Sequence, residues 1–139
     1  MTAKELMKQC EAEEKELKFR EFSSETALAI GMALIEEAKK RDNKICIDIA
    51  IAGRRLFHYS SDAVSNDIMI ERKKKTAMHT GHSSLWAHYM LENCDMNIKE
   101  KWALEPSEYA QVGGAFPIRL ENCQTVIGTI TCSGFNHEQ

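Results

Sequence analysis

Residues 112–118, Val-Gly-Gly-Ala-Phe-Pro-Ile, and residues 126–134, Val-Ile-Gly-Thr-Ile-Thr-Cys-Ser-Gly, are the segments that decide the fold of this chain. The second segment is rich in β-branched residues and is bounded by turn signals, which indicates a buried strand. The polar residues 121–124 are typical of a surface turn, so the first segment becomes the partner strand of a hairpin. Gly113 and Gly114 allow a bulge, or the close approach of another backbone or a ligand. Because Pro117 has no N–H group, we expect its side of the strand to be an edge or a bulge.

The composition indicates one globular domain, residues 1–139. The chain has 139 residues and 43% hydrophobic content, which is enough for a core of its own. Its net charge of −3 gives no support for nucleic-acid binding, because phosphate recognition requires a basic surface. The apolar runs are too short to span a membrane, and the N-terminus has no signal-peptide core. We therefore expect a cytoplasmic protein without nucleic-acid or membrane partners.

The cysteines indicate reduced thiols. There are five of them, an odd number, and no pair has Cys-x-x-Cys spacing. A disulfide framework or a structural zinc site is therefore not expected, and the thiols should pack as small hydrophobic groups.

Two helices are predicted before the first strand. Residues 1–20 form a polar helix with a thin apolar side, so we expect it to lie across the domain or at a subunit contact. Ser23 can cap a second helix, and the spacing of its apolar residues predicts that it is well buried. Those residues are Ala27, Leu28, Ile30, Gly31, Met32, Leu34, Ile35 and Ala38.

Alternation predicts a hairpin in the middle of the chain. Residues 44–52 place four isoleucines on one face and Asp48 on the other, and residues 55–59 form the return strand. Asp48 is then either solvated or covered by a second element that supplies a partner. A long helix, with Gly81 as a point of interruption, follows over residues 65–93, and residues 97–102 form a short helix or an edge segment. Local hairpins imply antiparallel pairs with helices packed on the sheet faces, an α+β architecture.

The hairpin also carries a family resemblance. Gly-Gly-x-Phe-Pro-Ile followed by x-Ile-Gly-x-Ile-x-x-Ser-Gly, with Glu-Pro-Ser-Glu-Tyr-Ala at residues 105–110, resembles the haem-degrading-domain (GlcG/HbpS-like) family, in particular its uncharacterised cytosolic branch. This resemblance implies a profilin-like α/β sandwich with a five-stranded antiparallel sheet, and a homo-oligomer built on a dimer. Four strands can be assigned from the sequence, so the fifth should lie near Trp102 or in a longer strand at residues 55–59.

The resemblance also suggests a ligand site. In this branch the long helix carries an Arg-Lys pair and, later, a Ser-Ser pair often preceded by His, which correspond here to Arg72-Lys73 and His82-Ser83-Ser84. A basic pair, a histidine, hydroxyl groups and free backbone N–H groups suit a small anion or a carboxylate. The alternative is that Arg72–Lys75 is a solvated charged face. The predicted ligand-binding residues are Arg72, Lys73, His82, Ser83, Gly113, Gly114 and Ser133.

Two departures from the family pattern affect this site. Val112 stands where the branch often has a histidine before the Gly-Gly pair. The family also continues past Ser-Gly into a helix, whereas this chain ends at residues 135–139, so we expect a neighbouring subunit to cover the sheet surface left open.

Metal and catalytic motifs are weak. His79 and His82 are three residues apart on a helix and can share a metal ion or a haem edge only if a third ligand converges. The sequence contains no nucleophile elbow, Walker loop or Gly-x-Gly-x-x-Gly motif. His82 is the candidate catalytic base if the protein is an enzyme.

Three functions remain open at this point. The first is an oligomeric protein that binds a small ligand, either haem, suggested by the family alone, or a small carboxylate. The second is a structural or interaction protein whose assembled surface binds another protein. The third is an enzyme acting on a small carboxylate, with His82 as base and Arg72 as anchor.

Overall fold

The computed structural model of the chain describes residues 1–62 and 64–134, and for residues 64–66 it describes the backbone. The chain end at residues 135–139, on which the expectation of a missing helix depends, lies outside this part. The elements in chain order are α1 (Ala3–Glu16), α2 (Ser24–Lys40), β1 (Cys46–Ile51), β2 (Arg54–Ser60), α3 (Val64–Thr80), α4 (Ser84–Cys94), α5 (Ile98–Trp102), β3 (Ala115–Ile118) and β4 (Gly128–Ser133).

The strands form one antiparallel sheet in the order β2-β1-β4-β3. Ile49 in β1 pairs with Phe57 in β2 and with Ile130 in β4, and Phe116 in β3 pairs with the other side of Ile130. The C-terminal hairpin predicted from the sequence is confirmed. Pro117 lies on β3, an edge strand, where its missing N–H group leaves no gap in a central ladder.

The isoleucine face of β1 packs against α2. Ile47 and Ile49 are fully buried in one cluster with residues of this helix. Ser23 caps α2 with a hydrogen bond from the Thr26 N–H group. The prediction that α2 is buried all along its broad stripe is wrong, because Leu28 and Met32 are 47% and 48% exposed.

The opposite face of the sheet is covered by α3. The single long helix predicted for residues 65–93 is divided into α3 and α4, because Gly81 adopts φ +72° and the chain restarts its helix after Ser83. Helix α4 is joined to the sheet by the Ser84 hydroxyl, which accepts a hydrogen bond from the Ala115 N–H group at 2.9 Å.

The sheet has four strands in the described residues, so the prediction of five is wrong. The region near Trp102 is the helix α5, which Asn97 starts with a reciprocal capping box. The strand predicted at residues 55–59 is longer by one residue at each end but remains a single strand. Next to β3, Phe19 makes one isolated parallel bridge to Leu120, which is too short to count as a fifth strand.

Helix α1 packs against α4 of its own chain. This contact agrees with the prediction that α1 lies across the domain. Cys10 is buried there against Trp86 and Tyr89. A contact between α1 and a neighbouring subunit stays a prediction. All five cysteines carry free thiols, as expected.

Candidate functional site

The corner between α3 and α4 positions the histidine that the sequence singled out. Gly81 ends α3, and its N–H group still donates to the Ala77 carbonyl at 2.9 Å. Ser83 begins α4 as its N-cap, with its hydroxyl accepting from the Trp86 N–H group at 3.0 Å. His82 lies between Gly81, which ends α3, and Ser83, which begins α4. It therefore projects from a corner, not from the side of a continuous helix.

Contacts with α1 fix the orientation of the His82 ring. Its Nδ1 atom is 2.9 Å from Oε1 of Glu14, and the ring stacks on Trp86 with the centroids 3.9 Å apart. An ionised carboxylate can only accept a hydrogen bond, so the proton of this contact belongs to Nδ1. Nε2 is then the nitrogen that remains for a ligand, since the hydrogen bond and the ion pair of this ring to the described residues both use Nδ1.

Glu14 is a buried carboxylate with several donors. It is only 5% exposed. The Ser83 N–H group donates to its Oε2 atom at 3.3 Å, and Arg119 Nη1 lies 3.7 Å from Oε1. Arg119, the residue after β3, also donates to the Gly81 carbonyl, so the same guanidinium connects the end of β3 to the corner. A buried charge needs such partners to be tolerated, and here they come from the α3–α4 corner and from the segment after β3.

Glu14, His82 and Arg119 line a surface groove of about 340 Å³, which we call the α1 groove. Its size falls within the range of small-molecule sites, which is roughly 300–1,000 Å³. The groove is mixed in charge, but two of its acids are already engaged, Glu14 with His82 and Glu11 with the Trp86 indole at 3.2 Å. Its lining residues are Glu11, Glu14, Lys15, Lys18, His82, Arg119 and Gln124.

Lys73 and Gly114 meet in a second place, between α3 and the C-terminal hairpin. Lys73 is 4% exposed, and its Nζ atom donates to the Cys132 carbonyl at 3.1 Å. Burial lowers the pKa of this ammonium group from its usual 10.5. Gly114 has φ +138°, and a Cβ atom there would lie 2.3 Å from the Cys132 oxygen and 2.8 Å from Lys73 Nζ. Ser133 is buried in the adjacent part of β4.

Arg72 occupies a third place, where it holds a loop. Its Nη2 atom donates to the carbonyls of Pro106 and Tyr109, at 2.7 and 3.4 Å. The Ala110 N–H group returns a hydrogen bond to the Arg72 carbonyl at 3.2 Å. The structure thus groups Lys73 with Gly114 and Ser133, and His82 with Ser83, but it assigns Arg72 to the 106–110 loop.

The candidate metal ligands do not converge. His79 is exposed, with its ring edge toward Tyr109 at 6.2 Å, and His82 is engaged by Glu14. Neither belongs to a group of three potential ligands within the described residues.

Sequence reasoning missed a charged cluster around Asp48. This carboxylate is fully buried under α3, and its Oδ1 atom is 2.9 Å from Lys74 Nζ. Its Oδ2 atom accepts from Arg55 Nε at 2.7 Å and contacts His58 Nδ1 at 3.2 Å. The alternation of β1 left Asp48 either solvated or covered by an element that supplies a partner, and the identity of these partners depends on tertiary packing.

The fold and the α1 groove define a mixed α/β protein with helices on both sides of an antiparallel sheet and a charged pocket at its surface. The model of the family described as Haem degrading protein HbpS-like matches residues 22–139. The chain therefore belongs to the HbpS-like family, and the resemblance found in the hairpin is confirmed.

Individual relatives agree with this assignment. The UPF0303 protein of Edwardsiella ictaluri is 35% identical over 136 residues, covering 96% of this chain and 86% of the relative. A crystal structure of the Ybr137w protein is similar with a TM-score of 0.85 and 31% identity, over 95% of this chain and 79% of that chain. A double mutant of HbpS from Streptomyces reticuli has a TM-score of 0.62 at 17% identity, over 81% and 74% of the two chains, which shows a shared fold.

None of the helices in the described part of the chain combines the length and the hydropathy that a membrane crossing requires.

Proposed function

We propose that this chain is a small-ligand-binding protein that binds a carboxylate-bearing ligand in the α1 groove. The observation that carries the proposal is the state of His82, whose ring is stacked on Trp86 and held through Nδ1 by the buried Glu14. A carboxylate behind a histidine fixes the orientation and the tautomer of the ring. Nε2 is thereby directed away from Glu14 and is the nitrogen that can contact a metal centre or accept a hydrogen bond from a ligand.

The cations of the groove support the charge of the proposed ligand. Lys15 lies on α1, Lys18 follows the end of α1 and Arg119 follows β3, and all three line the groove. Arginine binds carboxylates through two parallel hydrogen bonds, and lysine adds a point charge. Ligand carboxylates in the groove would therefore meet opposite charge close to His82.

Two ligands share this chemistry. One is haem, whose propionates are carboxylates and whose iron takes histidine as an axial ligand; the description of the family names haem. The other is a small organic carboxylate that occupies the groove alone. Lys73, with Gly113, Gly114 and Ser133, remains a predicted ligand contact, and we propose that these residues act as a second contact area near the hairpin. Arg72 remains a predicted ligand contact in its separate place at the 106–110 loop.

A haem titration followed by the Soret band tests the first ligand. We expect a saturable shift with the wild-type chain and with His79→Ala, which removes an exposed histidine outside the groove. The shift should be lost or weakened at least tenfold in His82→Ala. The same titration with Arg72→Gln tests the predicted contact of Arg72.

Calorimetry with citrate or succinate tests the second ligand. If haem leaves the spectrum unchanged and citrate binds, Arg119→Gln and Lys18→Gln should each weaken binding while Lys40→Gln, on α2, leaves it unchanged. A chain that binds neither haem nor these carboxylates, or binds them equally in His82→Ala and Arg119→Gln, would overturn the proposed function.

We also propose that the chain assembles, as the alternative function of a structural or interaction protein requires. Leu28 and Met32 lie four residues apart on α2 and are about half exposed, and Tyr59 on the edge strand β2 is 39% exposed. Exposed apolar groups close together on one helix are typical of protein contacts.

Light scattering tests this assembly. We expect a mass that is an even multiple of 15.8 kDa for the wild type and a smaller species for Met32→Glu. Glu36→Gln, one turn further along α2, serves as the control and should keep the wild-type mass. A monomeric wild-type chain would contradict the proposal.

A further inference from the structure

Three side chains that no sequence motif connects meet at the β2 edge of the sheet. Cys46 comes from β1, His58 from β2 and Asp67 from the first turn of α3. One ligand atom from each of the three lies within 4.8 Å of the other two. Cys46 Sγ is 2.9 Å from Asp67 Oδ1, and His58 Nε2 is 3.6 Å from the same oxygen.

These distances are close to those of a tetrahedral zinc site. Zinc binds cysteine sulfur at about 2.3 Å, histidine nitrogen at about 2.0–2.1 Å and carboxylate oxygen at about 2.0–2.2 Å, which places ligand atoms about 3.4–3.6 Å apart. The His58–Asp67 pair already has this separation. Binding would require that Cys46 Sγ and Asp67 Oδ1, now 2.9 Å apart, separate by about 0.7 Å and that Cys46 Sγ and His58 Nε2 approach to about 3.6 Å.

The surroundings orient two of the three ligands. Asp48 is fully buried and contacts Nδ1 of His58, which leaves Nε2 directed toward Cys46 and Asp67. The Ser60 hydroxyl donates to Oδ2 of Asp67 at 2.9 Å, which leaves Oδ1 for the site. A carboxylate behind a ligating histidine and a donor behind a ligating carboxylate are the outer partners that metal sites use to fix ligand geometry.

Charge and access also suit a cation. Arg55 and Lys74 neutralise Asp48, so Asp67 keeps a negative charge toward the cluster. The side chains of His58 and Asp67 are 32% and 44% exposed, so an ion can enter from the β2 edge although Cys46 is buried.

We infer that Cys46, His58 and Asp67 form a binding site for a divalent transition-metal ion, zinc above all, with Asp48 as the residue that positions His58. Three protein ligands leave one coordination position open for water or a small ligand. Binding breaks the S–H bond of Cys46, releases that proton to solvent and forms a metal–thiolate bond, with no change in the oxidation state of the metal.

Cobalt(II) titration of the metal-free full-length chain tests the inference, because a cobalt–thiolate bond gives a charge-transfer band in the near ultraviolet. We expect one equivalent of cobalt to produce this band together with tetrahedral d–d bands, and zinc to displace it. Cys46→Ser should abolish the charge-transfer band, and Asp67→Asn should weaken binding at least tenfold. Cys123→Ser, which alters a thiol in the turn before β4, should change neither.

The positioning role of Asp48 has a separate readout. Asp48→Asn should keep the charge-transfer band, because all three ligands remain, but weaken cobalt binding by about 10- to 100-fold, as outer-partner changes do. Circular dichroism verifies that each variant is folded. If Cys46→Ser does not fold, Asp67→Asn still tests the inference, because it changes a half-exposed side chain. Equal cobalt binding by the wild type, Cys46→Ser and Asp67→Asn, or a band that survives in Cys46→Ser, would overturn the inference.

Discussion

Gly114 is the residue on which the geometry of the C-terminal hairpin depends most. Its φ of +138° is a conformation that L side chains rarely adopt, and an added Cβ atom would lie 2.3 Å from a backbone oxygen. We expect Gly114→Ala to reduce the free energy of unfolding by more than about 2 kcal/mol, because strain and a steric clash add. Urea denaturation measures this loss.

Gly53 offers a matched control for Gly114. It also has a positive φ, +79°, but no atom lies within 4 Å of the position of a Cβ atom. Gly53→Ala should therefore cost only about 1 kcal/mol, the strain alone. Equal losses in the free energy of unfolding for the two variants would show that the hairpin does not depend on close packing at Gly114.

Asp48 and His82 show which features of the site could be predicted from the sequence alone. Alternation in β1 placed Asp48 opposite the isoleucines and required a partner if it was covered. The cations that cover it come from β2 and α3, and no spacing in the sequence connects them. His82 was found through the family resemblance, whereas Glu14 lies 68 positions earlier in the chain, so only the folded contact of α1 with the corner reveals it.

At the scale of elements, the start of α4 connects stability to the α1 groove. Ser83 caps α4, and its N–H group also donates to Glu14, which holds His82. We expect Ser83→Ala to reduce the free energy of unfolding by about 1 kcal/mol, the usual effect of a lost N-cap. Ligand binding in the groove should weaken as well, because the corner that carries His82 is less fixed.

The corresponding control is Ser23→Ala, which removes the N-cap of α2. It should cause a similar loss of stability in urea and leave ligand affinity unchanged, because α2 packs on the other face of the sheet. If both variants weakened binding equally, the effect would be one of general stability and the role of the corner would be refuted.

Elements with strong local sequence signals were predicted correctly, whereas features with weak local signals were not. β-Branched residues, a proline and two glycines specify the C-terminal hairpin locally, and Ser23 specifies the start of α2. The break at Gly81 was visible only as a single glycine, because its full effect depends on Ser83 restarting the helix. The fifth strand was inferred from the family, but Asn97 caps a helix where that strand was expected.

For the molecule as a whole, buried thiols predict a loss of stability in alkali. Burial raises the pKa of Cys46 from 9.0 to about 12, and the pKa values of Cys10 and Cys132 to about 11. Above pH 9 the unfolded chain loses these protons while the folded chain keeps them, so the free energy of unfolding falls as pH rises. Each thiol contributes a slope of up to about 1.4 kcal/mol per pH unit.

One buried amine opposes this trend. The lowered pKa of Lys73 means that, below pH 10.5, the unfolded chain binds its proton more readily, which adds stability as pH rises toward that value. Three thiols outweigh one amine, so urea denaturation between pH 8 and pH 11 should show a net decrease. Cys132→Ala should reduce the slope of that decrease. An unchanged slope in this variant, or rising stability in the wild type, would contradict the assignment of buried neutral thiols.

The central claim about the whole molecule is that its ligand site is the α1 groove beside His82. A crystal structure of the chain grown with haem tests this claim most directly. We predict porphyrin density between His82, Lys18 and Arg119, with the iron nearest to Nε2 of His82. Density for the porphyrin at another surface, with the groove left to solvent, would contradict it.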